Sequence, residues 1–279
     1  MGHFRKNNSI LFNTKPSAQV MKLKFLGTGG GRYVTAEQRR KTAGIIVQTD
    51  ETQIHVDPGP GALVYTHEEV ETPEETEAVI VSHAHPDHSN DAQPIIEMIT
   101  EGYKHSGTVF ANESCLHGYS DIEKTISSYH QNLCGKVEQL EESEEFEFKD
   151  LKIESQQMFH SDPKTQGFTL ETEDKKIGFW TDTEFSEELL DFYEGCDTMV
   201  IYCTRPKEKT LRNHTSVKDV PDILDELDAS TAIITHFGYA FLESDMEDQK
   251  NWLKDECESK IIFAEDGMKF PGNRSLGDF

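Results

Sequence analysis

The sequence predicts an α+β fold, a four-layer αβ/βα sandwich in which two packed β-sheets are flanked by helices. Two observations predict it. Short apolar runs typical of buried strands recur through both halves of the chain, and each half ends with strands that alternate with helical patterns. A length of 279 residues suits one large unit of this kind. We therefore expect residues 21–279 to form a single domain.

The N-terminal elements follow from apolar runs and the turn residues between them. A strand after Met21 runs into Gly27–Gly31, which holds four glycines and lets the backbone turn sharply or approach a ligand closely. A helix is expected at residues 91–100, and Gly102 would end it. Strands are expected at residues 44–49, 53–56, 78–82 and 108–111.

The C-terminal half continues the pattern of short strands with one clear helix. A helix is expected over residues 217–227, because four apolar residues there share one face. The acidic run at residues 138–147 is typical of a solvated edge, and residues 241–279 show no informative pattern. Strands are expected at residues 145–148, 151–158, 167–172, 176–181, 198–202 and 232–235.

The composition indicates an acidic surface over a folded core. The 27 basic and 52 acidic residues give a net charge of −25, which argues against passive capture of long duplex nucleic acid. A short nucleotide held by metal ions stays compatible with it. No apolar run approaches the roughly 18 to 20 residues of a membrane span, so we expect no membrane partner.

The N-terminus and the cysteines bear on location. Residues 1–20 are basic and without period, so we expect a leader left by a vector, with a native disordered tail as the alternative. The five cysteines never form a Cys-x-x-Cys pair, which disfavours a disulfide framework or a thiolate zinc site. We expect small buried thiols in a cytoplasmic protein.

One segment carries a strong chemical signal. Residues 83–88, HAHPDH, gather three imidazoles and a carboxylate directly after an apolar strand, and such ligands suit divalent metals such as zinc. His83 and His85 can point the same way, while Asp87 and His88 turn towards a second point. The spacing therefore indicates two metals, and a solvated histidine-rich loop is the alternative.

This loop resembles the His-x-His-x-Asp-His signature of the metallo-β-lactamase superfamily, and other segments extend the resemblance over about residues 21–238. His160, after the strand at residues 151–158, resembles the third-motif metal ligand of the family. Asp182, in Trp-Thr-Asp-Thr, resembles the carboxylate that bridges two metals, and His236, in Ile-Ile-Thr-His-Phe-Gly, resembles the last ligand. The resemblance implies the metallo-β-lactamase fold.

The resemblance also implies a ligand set for two divalent ions, expected to be Zn²⁺, with Mn²⁺ or Fe as alternatives. Site one would be His83, His85 and His160, site two would be Asp87, His88 and His236, and Asp182 would touch both. Asp57 resembles a carboxylate that orients a ligating imidazole. Taken alone, His160 could be a hydrogen-bonded core histidine, and Asp182 a capping residue before a helix near Ser186.

Within the superfamily, the sequence is most similar to ribonuclease Z and the related cyclic phosphodiesterases. The glycine-rich opening, the carboxylate of Asp182 where the β-lactamase branch commonly has cysteine, and the Thr-His-Phe-Gly ending carry this similarity. Arg-Asn-His-Thr at residues 212–215 resembles the ribonuclease Z segment with an extra active-site histidine, here His214. The alternative is a helix N-cap by Thr215 or Ser216, with His214 merely adjacent.

Two departures bear on the substrate. Only 22 residues separate His160 from Asp182, which leaves no room for the long arm with which ribonuclease Z grips tRNA. Tyr202 stands where the family has an acidic partner for the extra histidine. Together with the negative charge, these departures favour a small phosphodiester or a single-stranded nucleic acid as substrate.

The metals define the expected reaction. We expect a phosphodiesterase or ribonuclease whose metal-bridging hydroxide attacks the substrate, with Asp87 orienting it and His214 donating a proton to the leaving oxygen. Alternatives are hydrolysis of a β-lactam, lactone or thioester, both activities together, or a metal-binding or sensory protein without turnover. Arg205 and Lys207 would contact an anionic substrate or stay solvated. Dimers are common among the relatives that the chain resembles, so a homodimer is among the expected assemblies.

Overall fold

A computed structural model describes residues 20–272. The expected leader therefore lies outside the described residues, apart from Val20. No helix within residues 20–272 is long and apolar enough to cross a membrane. The helices are α1 (Arg32–Glu37), α2 (Ala62–Glu69), α3 (Pro86–Ser89), α4 (Ala92–Thr100), α5 (Glu113–His117), α6 (Ser128–Leu133), α7 (Val220–Leu227), α8 (Tyr239–Leu242) and α9 (Met246–Glu256).

The first sheet has seven strands among the described residues: β1 (Lys22–Phe25), β2 (Ile45–Gln48), β3 (Gln53–Val56), β4 (Ala78–Val81), β5 (Thr108–Asn112), β6 (Lys136–Leu140) and β15 (Lys269–Phe270). Their order is β15-β1-β2-β3-β4-β5-β6. The hairpin expected around residues 50–52 is present as antiparallel β2 and β3, and the strands from β3 to β6 run parallel.

The second sheet consists of β7 (Glu145–Phe148), β8 (Leu151–Gln157), β9 (Gln166–Glu171), β10 (Lys176–Trp180), β11 (Thr198–Arg205), β12 (Thr215–Ser216), β13 (Thr231–Thr235) and β14 (Lys260–Phe263). Its order is β14-β13-β11-β10-β9-β8-β7, and β12 pairs with β11. β10, β11, β13 and β14 run parallel.

The two sheets pack face to face on an apolar core and carry helices on their outer faces. Ile80 and Phe110 of the first sheet bury against Phe168 and Phe179 of the second, whose rings stack 4.7 Å apart. Removing these surfaces from water stabilises the sandwich. Separate cores lie between each sheet and its helices. The predicted four-layer αβ/βα architecture is confirmed.

The acidic run at residues 138–147 lies at an edge of the fold, as expected, because β6 and β7 are the outermost strands of their sheets. Two other expectations about elements were incomplete. The helix expected near Ser186 is a pair of 3-10 turns, Glu187–Leu189 and Asp191–Tyr193. Residues 241–272, which showed no pattern, supply α9 and two strands that extend both sheets.

The strand directions bring the ends of several strands to one edge of the sandwich. β8 and β10 are both antiparallel to β9, so they share a direction with β11 and β13. His83, His160, Asp182 and His236 each follow a strand end within three residues. Chemistry in α/β sheets is typically placed beyond such carboxyl ends.

Candidate metal centre

The seven side chains predicted as ligands lie together at this edge, and His214 joins them. Within the described residues, four overlapping groups each bring their ligand atoms within 4.8 Å of one another. The groups are His83–His85–His160, His83–His88–Asp182, Asp87–His88–His236 and His160–Asp182–His214. Asp182 and His88 occur in groups from both sides, so they connect the two halves of one cluster.

One half consists of three imidazoles that converge. Nε2 of His83 lies 3.0 Å from Nδ1 of His85, and Nε2 of His160 lies 3.2 Å from the same His85 atom. Oδ2 of Asp182 is 3.9 Å from Nε2 of both His83 and His160. His83 is fully buried and His85 is half-buried, so this half is reached from solvent on the His85 side.

The other half pairs two imidazoles with a carboxylate. Nε2 of His88 lies 3.0 Å from Nε2 of His236. Oδ2 of Asp87 is 3.3 Å from Nε2 of His236 and 3.5 Å from Nε2 of His88. Oδ2 of Asp182 lies 3.5 Å from Nε2 of His88 as well, so the same carboxylate oxygen faces both halves.

This donor set fits divalent cations. Oδ1 of Asp182 is buried without a hydrogen bond, although Nδ1 of His236 is 3.1 Å away. The tetrahedral sites typical of zinc, with ligands at about 2.1 Å, place ligand atoms about 3.4 Å apart, within the spacing seen in both halves. Nitrogen and carboxylate ligands in this mixture suit zinc and related metals.

Hydrogen bonds behind the cluster set which nitrogen of two imidazoles faces inward. Nδ1 of His160 lies 2.8 Å from the carbonyl oxygen of Asn213, which assigns the ring proton to Nδ1 and leaves Nε2 free as a ligand. Nδ1 of His88 lies 3.0 Å from Oδ2 of Asp57 with the same result. Such outer partners orient ligating imidazoles and raise their basicity.

Asp57 is itself held by several donors. Its Oδ1 accepts the backbone N–H of Ser82 at 2.7 Å, and its Oδ2 accepts the Ser82 hydroxyl at 2.9 Å and the Tyr202 hydroxyl at 3.0 Å. The Tyr202 ring stacks on His236, with centroids 5.2 Å apart and planes at 11°. Tyr202 thus supports Asp57 and His236, on the side of the cluster away from His214.

Asp162 is a buried support that sequence reasoning missed. It is fully buried, and its oxygens accept the backbone N–H of Ala84 at 3.0 Å, the Asn112 amide at 3.0 Å and the Ser114 hydroxyl at 2.6 Å. These bonds fix the loop that carries His83. Its hydrogen-bond donors come from distant segments, so nothing in the sequence around Asp162 indicates this role.

The glycine-rich turn lies directly against the cluster, as its composition allowed. A Cβ at Gly30 would lie 2.3 Å from ring atoms of His236, so only glycine fits there. The backbone N–H of Gly31 donates to Oδ2 of Asp87 at 2.6 Å. His236 also has a left-handed backbone, with φ of 62°. Such strain persists where surrounding contacts hold it, and it is frequent at functional sites.

Burial and charge set the protonation states of the cluster. Burial lowers the pKa of His83 well below its ordinary value, and the charges of His88 and His85 lower it further. Burial likewise lowers the pKa of His160 to about 4, against the pull of Asp182. Neutral imidazole is the form that binds metal, so these two histidines are prepared as ligands.

The carboxylates keep their charge despite burial. Burial acts to raise the pKa of Asp182, but His236, His88 and His160 hold it well below its usual range. Burial also acts to raise the pKa of Asp87, and His88 and His236 overcome it. The two ionised carboxylates lie beside the neutral imidazoles of His83 and His160. Although burial acts to lower the pKa of His88, these carboxylates and Asp57 raise it well above its ordinary value, so their negative charge favours bound cations.

His214 stands at the rim of the first half. It is half-buried, and its ring centroid is 4.9 Å from that of His160. The capping alternative is also present, because Ser216 and Asp219 form a capping box at the following 3-10 turn. Of the two cations considered for substrate contact, Lys207 pairs with Asp248 at 2.6 Å, and Arg205 is half-buried.

Comparison with known proteins settles the family. The model of the beta-lactamase superfamily domain matches residues 52–237. The chain belongs to the metallo-β-lactamase superfamily. This member is a metal-dependent hydrolase with a cluster of His and Asp side chains that could hold the metal. The superfamily resemblance predicted from the histidine-rich loop is therefore confirmed.

Individual relatives agree with this assignment. The uncharacterized protein MJ1374 of Methanocaldococcus jannaschii is 32% identical over 248 residues, which cover 88% of this chain and 92% of that protein. The fold is similar to that of YhfI from Bacillus subtilis, a metallo-β-lactamase fold protein, with a TM-score of 0.73, 17% identity, and coverage of 90% of this chain and 98% of the other.

Two further structures of the same fold carry functional names. A diphosphatase from the PhnP family aligns with a TM-score of 0.66 and 18% identity over 91% of this chain and 98% of its own. The short form of human tRNase Z aligns with a TM-score of 0.65 and 14% identity over 89% of this chain and 98% of its own. At these identities the likeness shows the fold.

Proposed function

We propose that this superfamily member is a two-metal phosphodiesterase that acts on small or single-stranded phosphate esters. The observation that carries the proposal is the position of Asp182, whose Oδ2 lies 3.9 Å from His83 and His160 and 3.5 Å from His88. One carboxylate oxygen between two groups of ligands suits a pair of divalent ions, with Zn²⁺ expected first. The proposed ligands are His83, His85, His160, Asp87, His88, His236 and Asp182.

Two divalent ions held by these residues would lower the pKa of a water molecule and neutralise charge on a phosphoryl oxygen. The residues of this chain position the reactants around them. The Gly31 N–H fixes Oδ2 of Asp87. The Asp87 carboxylate accepts a hydrogen bond from the attacking water and so orients it. Because the charge of His88 keeps the pKa of Asp87 low in spite of burial, this carboxylate stays an acceptor at neutral pH.

His214 is the proposed proton donor to the leaving oxygen. Its Nδ1 lies 3.0 Å from the carbonyl oxygen of Arg212 and donates to it, so the transferable proton of the protonated ring is on Nε2. The half-buried ring stands beside His160 at the rim of the cluster. From there it can reach a leaving group that points to solvent.

The substrate class follows from what the chain offers for binding. Most of the segment between His160 and Asp182 forms the hairpin of β9 and β10, which belongs to the second sheet. A protruding arm for a large RNA therefore has no counterpart there. The net charge of −25 further disfavours a long polyanion. A small phosphate ester needs few cationic contacts and suits both features.

Hydrolysis of a carbonyl substrate, such as a β-lactam, lactone or thioester, is the alternative, and the experiment must distinguish it from hydrolysis of a phosphodiester. Protein supplied with Zn²⁺ or Mn²⁺ is assayed with bis-p-nitrophenyl phosphate and with a chromogenic cephalosporin. We expect hydrolysis of the diester and little or none of the cephalosporin. The reverse preference would assign the site to carbonyl substrates, and full metal loading without either reaction would favour a binding protein.

The role of His214 is tested with two diesters that differ in their leaving group. His214→Ala should lower kcat for an alkoxide leaving group by about 100-fold or more, as loss of a general acid typically does. p-Nitrophenolate needs no proton, so its release should change much less, and metal content should stay unchanged. His117→Ala, at an exposed histidine on α5, serves as the matched control. Equal losses for both leaving groups would remove His214 from this step.

A further inference from the structure

Two exposed tyrosines touch each other on the surface. Tyr33 on α1 is 66% exposed and Tyr239 on α8 is 43% exposed, and their ring centroids are 6.3 Å apart with planes at 65°. The Arg39 guanidinium lies over Tyr239, 4.9 Å from the ring centroid, and is paired with Glu243. Arg39 therefore fixes the ring of Tyr239, and Tyr239 in turn contacts the more exposed ring of Tyr33 and limits its motion.

This tyrosine pair lies beside the metal centre. Tyr33 is two residues from Gly31, so the Cα atoms of Tyr33 and Gly31 are within about 8 Å of each other. The N–H of Gly31 in turn donates to Asp87. Tyr239 is three residues beyond His236. The two segments are joined by their backbones, because the Gly30 N–H donates to the Phe237 carbonyl at 3.2 Å.

Two further exposed apolar side chains lie near the cluster. Of the nine large exposed ones within residues 20–272, Tyr239, Phe159 and Leu211 are within three residues of His236, His160 and His214, and Tyr33 follows the turn that binds Asp87. Phe159 precedes His160, and Leu211 forms a β-bridge with His214. A single exposed apolar residue is ordinary, whereas a contacting aromatic pair next to a reactive centre is typical of a binding surface.

We infer that Tyr33, held edge to face by Tyr239, is a stacking platform for the nucleobase of a nucleotide ester. The inference rests on the proposed function, since it places the phosphodiester at the metal centre and the base over Tyr33. The cation that touches the pair, Arg39, is engaged by Glu243, so the base is held by contacts with the rings. Every base has a face that stacks on an aromatic ring, so such stacking favours an ester that carries a base over one that carries none.

The experiment compares thymidine 5′-(p-nitrophenyl phosphate) with methyl p-nitrophenyl phosphate, two diesters that release the same p-nitrophenolate. Wild-type protein should prefer the thymidine ester in kcat/KM. Tyr33→Ala and Tyr239→Ala should each lower that preference at least about fivefold, chiefly through KM of the thymidine ester. Tyr33→Phe should keep the preference, because the ring is retained.

Tyr103→Ala is the matched control, because Tyr103 is 63% exposed and precedes β5, at the end of the sheet opposite His83. It should keep the wild-type preference. An unchanged preference in Tyr33→Ala, or a wild-type protein without preference, would overturn the platform.

Failure of the proposed function is recognised separately. If wild-type protein hydrolyses neither ester, calorimetry compares its binding of thymidine 5′-monophosphate and of deoxyribose 5-phosphate. The platform requires tighter binding of the nucleotide, and loss of this difference in Tyr33→Ala. Equal binding of the two ligands by wild-type protein would overturn it independently of turnover.

Discussion

Oδ2 of Asp57 lies 3.0 Å from Nδ1 of His88, and both side chains are almost completely buried. The carboxylate is in turn fixed by Ser82 and Tyr202. This chain of contacts connects the turn after β3 and the strand β11 to one proposed ligand. The orientation of His88 therefore depends on residues that contact no metal themselves.

Asp57→Asn should weaken metal binding without unfolding the protein. The amide keeps the shape of the side chain but removes the negative charge that orients His88, and losses of 10- to 100-fold in metal affinity are typical of such changes. Competition with a chelator measures the affinity. Asp50→Asn, at an exposed position in the preceding turn, should behave as wild type. Identical affinities in both variants would show that Asp57 does not orient the ligand.

Gly30→Ala tests whether the glycine-rich turn makes room for His236. The new methyl group would collide with the imidazole at 2.3 Å, so the ring must move and metal affinity should fall. Gly31→Ala is the comparison, since its Cβ meets nothing within 4 Å and only its φ of 79° opposes alanine. Because the φ of 79° and ψ of 157° at Gly31 are nearly exclusive to glycine, we expect Gly31→Ala to cost about 1–3 kcal/mol of stability but to keep more metal than Gly30→Ala. Greater metal loss in Gly31→Ala would contradict this account.

Asp162→Ala should destabilise the fold strongly. It leaves the amide of Ala84, the Asn112 side chain and the Ser114 hydroxyl without their buried acceptor. A buried donor left without its acceptor costs about 1–3 kcal/mol, which urea unfolding would detect. Asp121→Ala, at an exposed aspartate, should change stability by less than about 0.5 kcal/mol. A loss below about 1 kcal/mol for Asp162→Ala would refute a supporting role.

His55 should make stability depend on pH. Its pKa is lowered from 6.5 to about 4, because burial outweighs the backbone of Val56 and the charge of Asp57. The folded state therefore favours neutral imidazole, and its contribution is fully present above pH 6.5 and lost as pH falls towards 4. The loss amounts to roughly 3 kcal/mol at most.

The measurement is urea unfolding of wild type and His55→Leu between pH 7 and pH 4.5. Other groups titrate in both proteins, so the difference between the two curves isolates His55. We expect the stability of wild type to fall more steeply on acidification. Parallel curves would show that His55 is protonated equally in the folded and unfolded states. His117→Leu, at an exposed histidine, should follow wild type.

The residues of the candidate site could be predicted from the sequence where they share one loop or directly follow a strand. His83, His85, Asp87 and His88 share one loop, so their spacing alone indicates convergence. His160, Asp182 and His236 each follow a strand, and the family resemblance supplied their order along the chain. The buried strands were predicted for the same reason, because continuous apolar runs mark them directly.

The supports of the site could not be predicted, because their roles depend on distant partners. Asp162 accepts from residues 84, 112 and 114, and nothing near it in sequence indicates this. Asp266, in the uninformative tail, accepts the N–H and hydroxyl of Thr28 at 2.9 and 2.7 Å and so fixes the glycine-rich turn. Such contacts arise only after the two sheets have packed.

The metal content of the purified protein tests the central claim most directly. Elemental analysis by mass spectrometry, with protein quantified independently, should give two divalent ions per chain in wild type. Asp182→Ala should hold fewer, because it removes the oxygen that faces both halves of the cluster, while Asp50→Ala should hold two. A wild-type protein that binds one ion or none after incubation with Zn²⁺ or Mn²⁺, or an Asp182→Ala variant that still holds two, would contradict the account.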